Sequence, residues 1–200
     1  MSQKKILLVS AAPVNYAPYI RSYMEVYERN GIDYDLLFWN RHMDATDGLP
    51  GNNIPYNNLT DDKYPYWRKV LKIWGFARFA NRQMRKNDYA YVVVFTIAHV
   101  VFMYLTLKKH YKGRYIFDIR DHSPMCKVGV LRRIINHLIE HSAFTVVSSA
   151  GFLRWLPTGD KYHYVVAHNT TKGMIEKYID NQVITPPYSL DNILILISVH

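Results

Sequence analysis

Short apolar runs alternate along this chain with longer stretches in which apolar and polar residues recur with a helical period. Lys5–Val9 ("KILLV"), Asp35–Trp39, residues 91–95, Arg114–Asp118, Phe144–Val147 and Tyr162–Ala167 read as strands. Their apolar residues are mostly consecutive, the pattern of strands covered on both faces. Between them, Pro18–Arg29 reads as a helix, with Ile20, Met24 and Tyr27 at i, i+4 and i+7 and an Asn30-Gly31 stop. Residues 65–86, 99–111 and 127–142 are further helices, and a short one runs from Ser149 to Trp155. Strand and helix in strict alternation predict an α/β fold with a doubly wound parallel sheet. Residues 40–63, rich in Gly, Pro, Asn and Asp, read as one long loop.

Two stretches are more ambiguous in their pattern. Tyr89–Leu107 is 19 residues long and carries no formal charge, close to the length of a membrane span. Its first half is β-branched and its second half helix-like, so a buried strand, a turn and a buried helix fit it better. In the helix at 65–86, Val70, Ile73, Trp74, Ala77, Ala80 and Met84 share one face, and Phe76 and Phe79 fall on the basic side. Towards the C-terminus, residues 180–191, with Pro186-Pro187, read as a linker after a first domain at 1–179. The run at 192–200 reads as the first strand of a second domain.

The chain has 200 residues, 49% apolar and 20% charged, which suits a folded domain. Its one cysteine, Cys126, forbids a disulfide framework and suits a reduced, cytoplasmic setting. The first apolar run is too short for the core of a signal peptide. The net charge is +9, and residues 64–87 hold seven basic residues and no acid. That segment is an ordinary surface helix, a contact for anionic lipid headgroups, or a nucleic-acid contact. Arg68, Lys69, Lys72, Arg78 and Arg82 are the candidate membrane-binding residues. No recognised nucleic-acid module accompanies them, so no nucleic-acid partner is expected.

Ligands of open α/β sheets bind beyond the carboxyl ends of the strands. That rule selects Ser10–Asn15, Asn40, His99, Arg120, Asp121, Ser148, His168 and Asn169. In "YIFDIRDHSP" (115–124), Asp118 and Asp121 flank Arg120. Three readings stand: an acid pair, a metal site or a scaffold for a loop. Asp118 is expected to hold the turn, and Arg120 and Asp121 to line a cleft. His137-Leu138-Ile139-Glu140-His141 matches the H-x-x-E-H pattern of inverted zinc peptidases, a weak five-residue match in a chain with nine histidines. Neither a P-loop nor a G-x-G-x-x-G is present. Ser148 and Ser149 lack a nucleophile elbow, and Cys126, after a proline and a methionine, has no evident catalytic base beside it.

The order of "KKILLVS", "ERNGIDYDLLFW", "YVVVFTIAHVVF", "YIFDIRDHSP", "AFTVVSSAGFLRWLP" and "KYHYVVAHNT" resembles the N-terminal half of the GT-B glycosyltransferases of family 4. That family builds bacterial capsular, exo- and lipopolysaccharides with two Rossmann-like domains facing across a cleft. The resemblance implies the acceptor-side half of a retaining enzyme that moves sugar from a nucleotide-sugar donor to a saccharide or lipid-linked acceptor. It implies little activity without the C-terminal half and no bound metal or cofactor; the expected location is cytoplasmic, with the basic helix as the candidate contact to the inner face of the plasma membrane. His99 would be the catalytic candidate, and Asn15, Tyr16, Arg120, Asp121, His168 and Asn169 the substrate-binding ones. The family commonly has a glycine pair after its first strand, where this chain has "SAAPVNYAP" without one. A non-catalytic basic module, binding an anionic membrane or nucleic acid, is the competing reading.

Overall fold

The computed structural model describes residues 5–12, 14, 17–43, 49–61 and 63–167. Asn15, Tyr16, His168, Asn169, the expected linker and the expected strand at 192–200 lie outside them. Seven strands form one all-parallel sheet: β1 (Ile6–Ser10), β2 (Tyr34–Asn40), β3 (Asn52–Asn57), β4 (Tyr91–Phe95), β5 (Tyr115–Ile119), β6 (Phe144–Val147) and β7 (Tyr164–Val166). Their spatial order is β3-β2-β1-β4-β5-β6-β7. The sequence order reverses between β1 and β4, where Ile6 pairs with Tyr34 on one side and Tyr91 on the other. This is the doubly wound, Rossmann-like sheet that the alternating pattern predicts.

The helices are α1 (Pro18–Arg29), α2 (Tyr66–Lys86), α3 (Ile97–Val100), α4 (Tyr104–His110) and α5 (Gly129–His141). α1 starts with Pro18 in its first turn and ends where Gly31 takes φ +62°, a conformation that costs glycine least. The helix expected at 99–111 is broken into α3, a 3₁₀ turn at Val101–Met103, and α4. A 3₁₀ turn at Pro124–Lys127 precedes α5, and another spans Ala150–Arg154. Among the described residues no helix is long and apolar enough to cross a membrane.

The pleat sorts the strand residues into two cores. Leu7, Val9, Leu37, Trp39, Val92, Val94, Tyr115 and Phe117 face α2, α4 and α5. Leu8, Leu36, Phe38, Val93, Phe95 and Ile116 face the other way, against Ile20, Tyr23, Met24 and Tyr27 of α1. Strands buried on both faces are therefore consecutive in their apolar residues because each face has its own helices.

Strand β3 corrects the expectation of a long loop at 40–63. It pairs in parallel with β2 from Asp35–Asn52 to Asn40–Asn57. Its asparagines and a proline disguise it. Pro55 is tolerated because β3 is an edge strand, where a missing N–H breaks no ladder on the open side. The holding contact is Tyr56, which packs on Trp39, Phe76 and Phe79.

The same strand explains a second correction. The buried residues of α2 are Phe76, Ala77, Ala80 and Met84, while Trp74 is exposed. Phe76 stacks on Trp39 with centroids 6.0 Å apart. The extra strand widens the sheet beneath α2, so the helix turns Phe76 and Phe79 inward and leaves Trp74 outside.

Candidate functional site

The carboxyl ends of β1, β4, β5 and β6 form a rim around the point where the strand order reverses. Ser10, at the end of β1, is buried, and its hydroxyl donates to the Ala12 carbonyl (2.9 Å) and accepts from the Ala12 N–H (3.1 Å). The turn after β1 is thus closed by its own serine. Asn40, at the end of β2, donates to the Asn57 side chain across the edge pair (3.1 Å).

Thr96 follows β4 with φ +66° and ψ 155°. That region is essentially reserved for glycine, and a β-branched residue there stores about 1–3 kcal/mol of strain. Two contacts hold it. Its N–H donates to the Asp118 carbonyl (2.8 Å), and its Oγ1 lies 3.3 Å from His99 Nδ1. Strain of this kind collects at functional sites, and here it sits at the topological switch point.

His99 lies one turn further on, 0% exposed, its ring edge-on to Phe76 at 5.4 Å. Burial lowers its pKa to about 3, helped by Arg41; the Val9 backbone works the other way. The imidazole is therefore neutral at physiological pH. It lies beneath the rim, closed to solvent, and a group this hard to protonate makes a poor general base near neutrality. Its Nε2 is enclosed without a hydrogen-bond partner among the described residues.

"YIFDIRDHSP" supplies the hub. Asp118 is 0% exposed and Arg120 5%. Arg120 Nε lies 2.5 Å from Asp118 Oδ1, and Arg120 Nη2 donates to Asp118 Oδ2 at 2.6 Å. Tyr23 of α1 donates to the same carboxylate (2.9 Å), and Arg120 Nη1 donates to the Ala167 carbonyl just past β7 (2.9 Å). The guanidinium also stacks over Tyr19 at 5.0 Å. Ser148, after β6, donates to the Arg120 carbonyl (3.3 Å). Burial pushes the Asp118 carboxyl up, and Arg120 pulls it back. Burial would lower Arg120, but the charge and hydrogen bonds of Asp118 outweigh it and leave it raised. Of the three readings of this stretch, the scaffold describes Asp118 and Arg120: they tie α1, β5 and the end of β7 together. Asp121 is exposed at the rim.

Beside this hub is a cavity of about 180 Å³ that sequence reasoning missed, lined among others by His122, Cys126, Lys127, Arg132, Asn136 and Trp155. The His122 ring meets Trp155 edge-on at 4.9 Å. Burial pushes the Cys126 thiol up, so it is a thiol and not a ready nucleophile. The available signal was the pair of polar segments directly after β5 and β6, carrying an aromatic and several bases.

The basic helix presents a separate surface. Trp67 is 59% exposed and Trp74 44%, with Leu71 exposed between them. Arg68 lies over the Trp67 ring (5.2 Å) and Arg78 over Trp74 (4.8 Å). Arg78, Arg82 and Arg85 line an open hollow of about 450 Å³ with Phe79 and Asn81. Lys69 is exposed. Lys72 is half-buried and bonds the Asn58 side chain, so it serves the β3 edge. Histidines 137 and 141 lie towards the end of α5, at the opposite end of the sheet from the rim.

An all-parallel sheet whose strand order reverses between β1 and β4 defines the class: one Rossmann-like unit. Among solved structures, the chain resembles a sucrose-phosphate synthase from Thermosynechococcus elongatus at TM-score 0.61 and 12% identity, covering 84% of this chain and 49% of that one. A shorter chain of that synthase matches at TM-score 0.60 and 12% identity, with 88% of this chain and 95% of that one covered. Arabidopsis thaliana UGT89C1 complexed with UDP-L-rhamnose matches at TM-score 0.53 and 9% identity, over 84% of this chain and 52% of that one. This chain thus spans about half the length of the two longer structures. No family model and no curated protein matches the sequence.

Proposed function

We propose that the chain is the acceptor-side half of a retaining glycosyltransferase, moving sugar from a nucleotide-sugar to a cell-surface polysaccharide or lipid-linked intermediate. What carries this reading is its likeness to about half of two longer structures, one holding a UDP-sugar. The strained, hydrogen-bonded rim at the switch point supports it. In this reading Asp121 and the cavity under Trp155 meet the acceptor, and Arg120 with Asp118 fixes the loop that carries them. His99 acts as a positioning residue, holding Thr96 from below as a neutral imidazole. Asn15, Tyr16, His168 and Asn169 complete the cleft, and the donor is held mainly by a second domain.

The reading frame beyond codon 200 is expected to encode a second Rossmann-like domain with an acidic pair for the donor sugar. Expressed with that domain, the protein should turn over a UDP-sugar in the presence of a bacterial lipid-linked saccharide fraction, and the 200-residue chain alone should not. A stop codon at that point, or transfer by this chain alone, would overturn the reading.

The exposed tryptophans among arginines favour a further role for α2, attachment to an anionic bilayer at the cytoplasmic face, which would bring the enzyme to a lipid-linked acceptor. Each basic residue near such a surface contributes about 1 kcal/mol. Arg78→Ser with Arg82→Ser should therefore weaken binding to phosphatidylglycerol-containing vesicles roughly 30-fold at low salt. Flotation with pure phosphatidylcholine vesicles is the control. Equal flotation of both proteins would show that these arginines do not face the membrane.

A further inference from the structure

The H-x-x-E-H stretch of α5 takes no part in the proposed transfer, and the fold puts it far from the rim. α5 begins beyond the carboxyl end of β5 and returns to the other end of the sheet, where the His141 carbonyl accepts from the Gly113 N–H just before β5 (2.9 Å). Near its end the rings of His137 and His141 lie 4.0 Å apart, centroid to centroid, tilted by 37°. One ring nitrogen of each histidine and a carboxylate oxygen of Glu140 all fall within 4.8 Å of one another.

We propose that His137, Glu140 and His141 form a binding site for a borderline divalent transition-metal cation of the Zn²⁺ class, with water completing the coordination. Imidazole and carboxylate are the donors such ions take, and residues i and i+4 of a helix present them on one face. Two details prepare the donors. His137 Nε2 is enclosed and has no hydrogen-bond partner among the described residues. His141 Nδ1 lies 3.0 Å from the His137 carbonyl; donating its proton there leaves Nε2 with the lone pair a metal needs. Glu140 Oε1 accepts from Lys161 at 2.9 Å, which leaves its second oxygen for the cation.

The local charge decides whether a cation is welcome. Lys108 and Lys112 stand near His137, and Lys161 near Glu140. Against them stand the Glu140 carboxylate and the C-terminal end of a 13-residue helix, the negative end of its dipole. Bond lengths of about 2.0–2.2 Å to zinc bring ligand atoms closer than the present spread, so small side-chain rotations close the site. Its effect is structural: the ion clips the last turn of α5 where the chain enters β6.

The test uses the untagged 200-residue chain and Zn²⁺ or Co²⁺ alone. Calorimetry at pH 7.5 should show one site, and Co²⁺ should give visible d–d bands from nitrogen and oxygen ligands. At zinc 100-fold above the dissociation constant the melting temperature should rise by about 5–10 °C. His137→Ala and His141→Ala should each weaken binding by more than about tenfold, since even outer-shell partners of metal ligands matter by 10–100-fold. His163→Ala, on a different segment, should leave it unchanged. Helix content by circular dichroism guards against a misfolded variant, and Glu140→Gln supplies a milder one, with weaker binding expected. Absence of a one-to-one site, or a site that survives the double histidine replacement, would overturn the proposal whatever the outcome for the rim.

Discussion

Replacing Asp118 with alanine should destabilise the chain by about 3–5 kcal/mol, the cost of leaving a buried charge without its partner. Arg120 would keep its guanidinium inside the protein without the carboxylate that neutralises it, while still donating to the Ala167 carbonyl and stacking over the Tyr19 ring. Tyr23 would lose its acceptor as well. Total stabilities of domains this size are about 5–15 kcal/mol, so the variant should unfold at much lower urea concentration. The double replacement Asp118→Leu with Arg120→Met removes both charges, and should recover most of the loss, since apolar substitutes for buried pairs are often neutral. Urea titrations of the three proteins decide this. An Asp118→Ala cost below about 1 kcal/mol would mean that water reaches the pair, contrary to their burial. A stable double variant also gives a clean test of whether the pair matters to acceptor binding apart from folding.

The second large effect is on pH dependence. His99 has a pKa near 3 in the folded chain, against an ordinary 6.5 when exposed. A depressed folded value means that the unfolded chain takes up the proton first. The neutral imidazole's contribution is then intact above about pH 6.5, falls as the pH is lowered through that value, and is exhausted near pH 3. Each unit costs about 1.4 kcal/mol, so between pH 7 and pH 4.5 this one group should remove about 2–3 kcal/mol. His99→Gln cannot take up that proton. Its loss of stability over the same range should be smaller than the parent's by that amount. Equal losses would place His99 in contact with water, and would make it again a candidate to meet substrate.

Much of the fold is legible because burial on both faces writes itself into a strand as an unbroken apolar run. β1, β2, β4, β5 and β6 carry that mark, and β4 and β6 fall where the pattern puts them. β3 does not, because an edge strand needs only one apolar face. Its mark is the spacing of Ile54 and Tyr56, two residues that share a side. The buried face of α2 departs from the periodicity for a linked reason: helical spacing gives an arc of apolar residues, and the width of the sheet beneath selects which part of the arc is covered. The rim is legible as a set of strand ends. Its chemistry is not. The backbone angles of Thr96 follow from tertiary contacts with Asp118 and His99 that no spacing reveals. Nor does the sequence show that Arg120 turns inward to Asp118 while Asp121, its neighbour, remains exposed.

The place of β1 in the sheet has a consequence during synthesis. Of the described strands it is the earliest in the chain and lies near the middle, with Leu7 and Leu8 fully covered in the finished fold. β2 can join it early, once residue 34 has emerged. Its other edge has to wait for residue 91. At ribosomal speeds of about 5–20 residues per second, the interval from β2 to β4 lasts roughly 3–11 s. Through that time an apolar strand edge is open to other chains, and it is closed only by the strand that leads directly into the strained turn at Thr96. A cell making this protein would need chaperones most while the basic helix is leaving the ribosome.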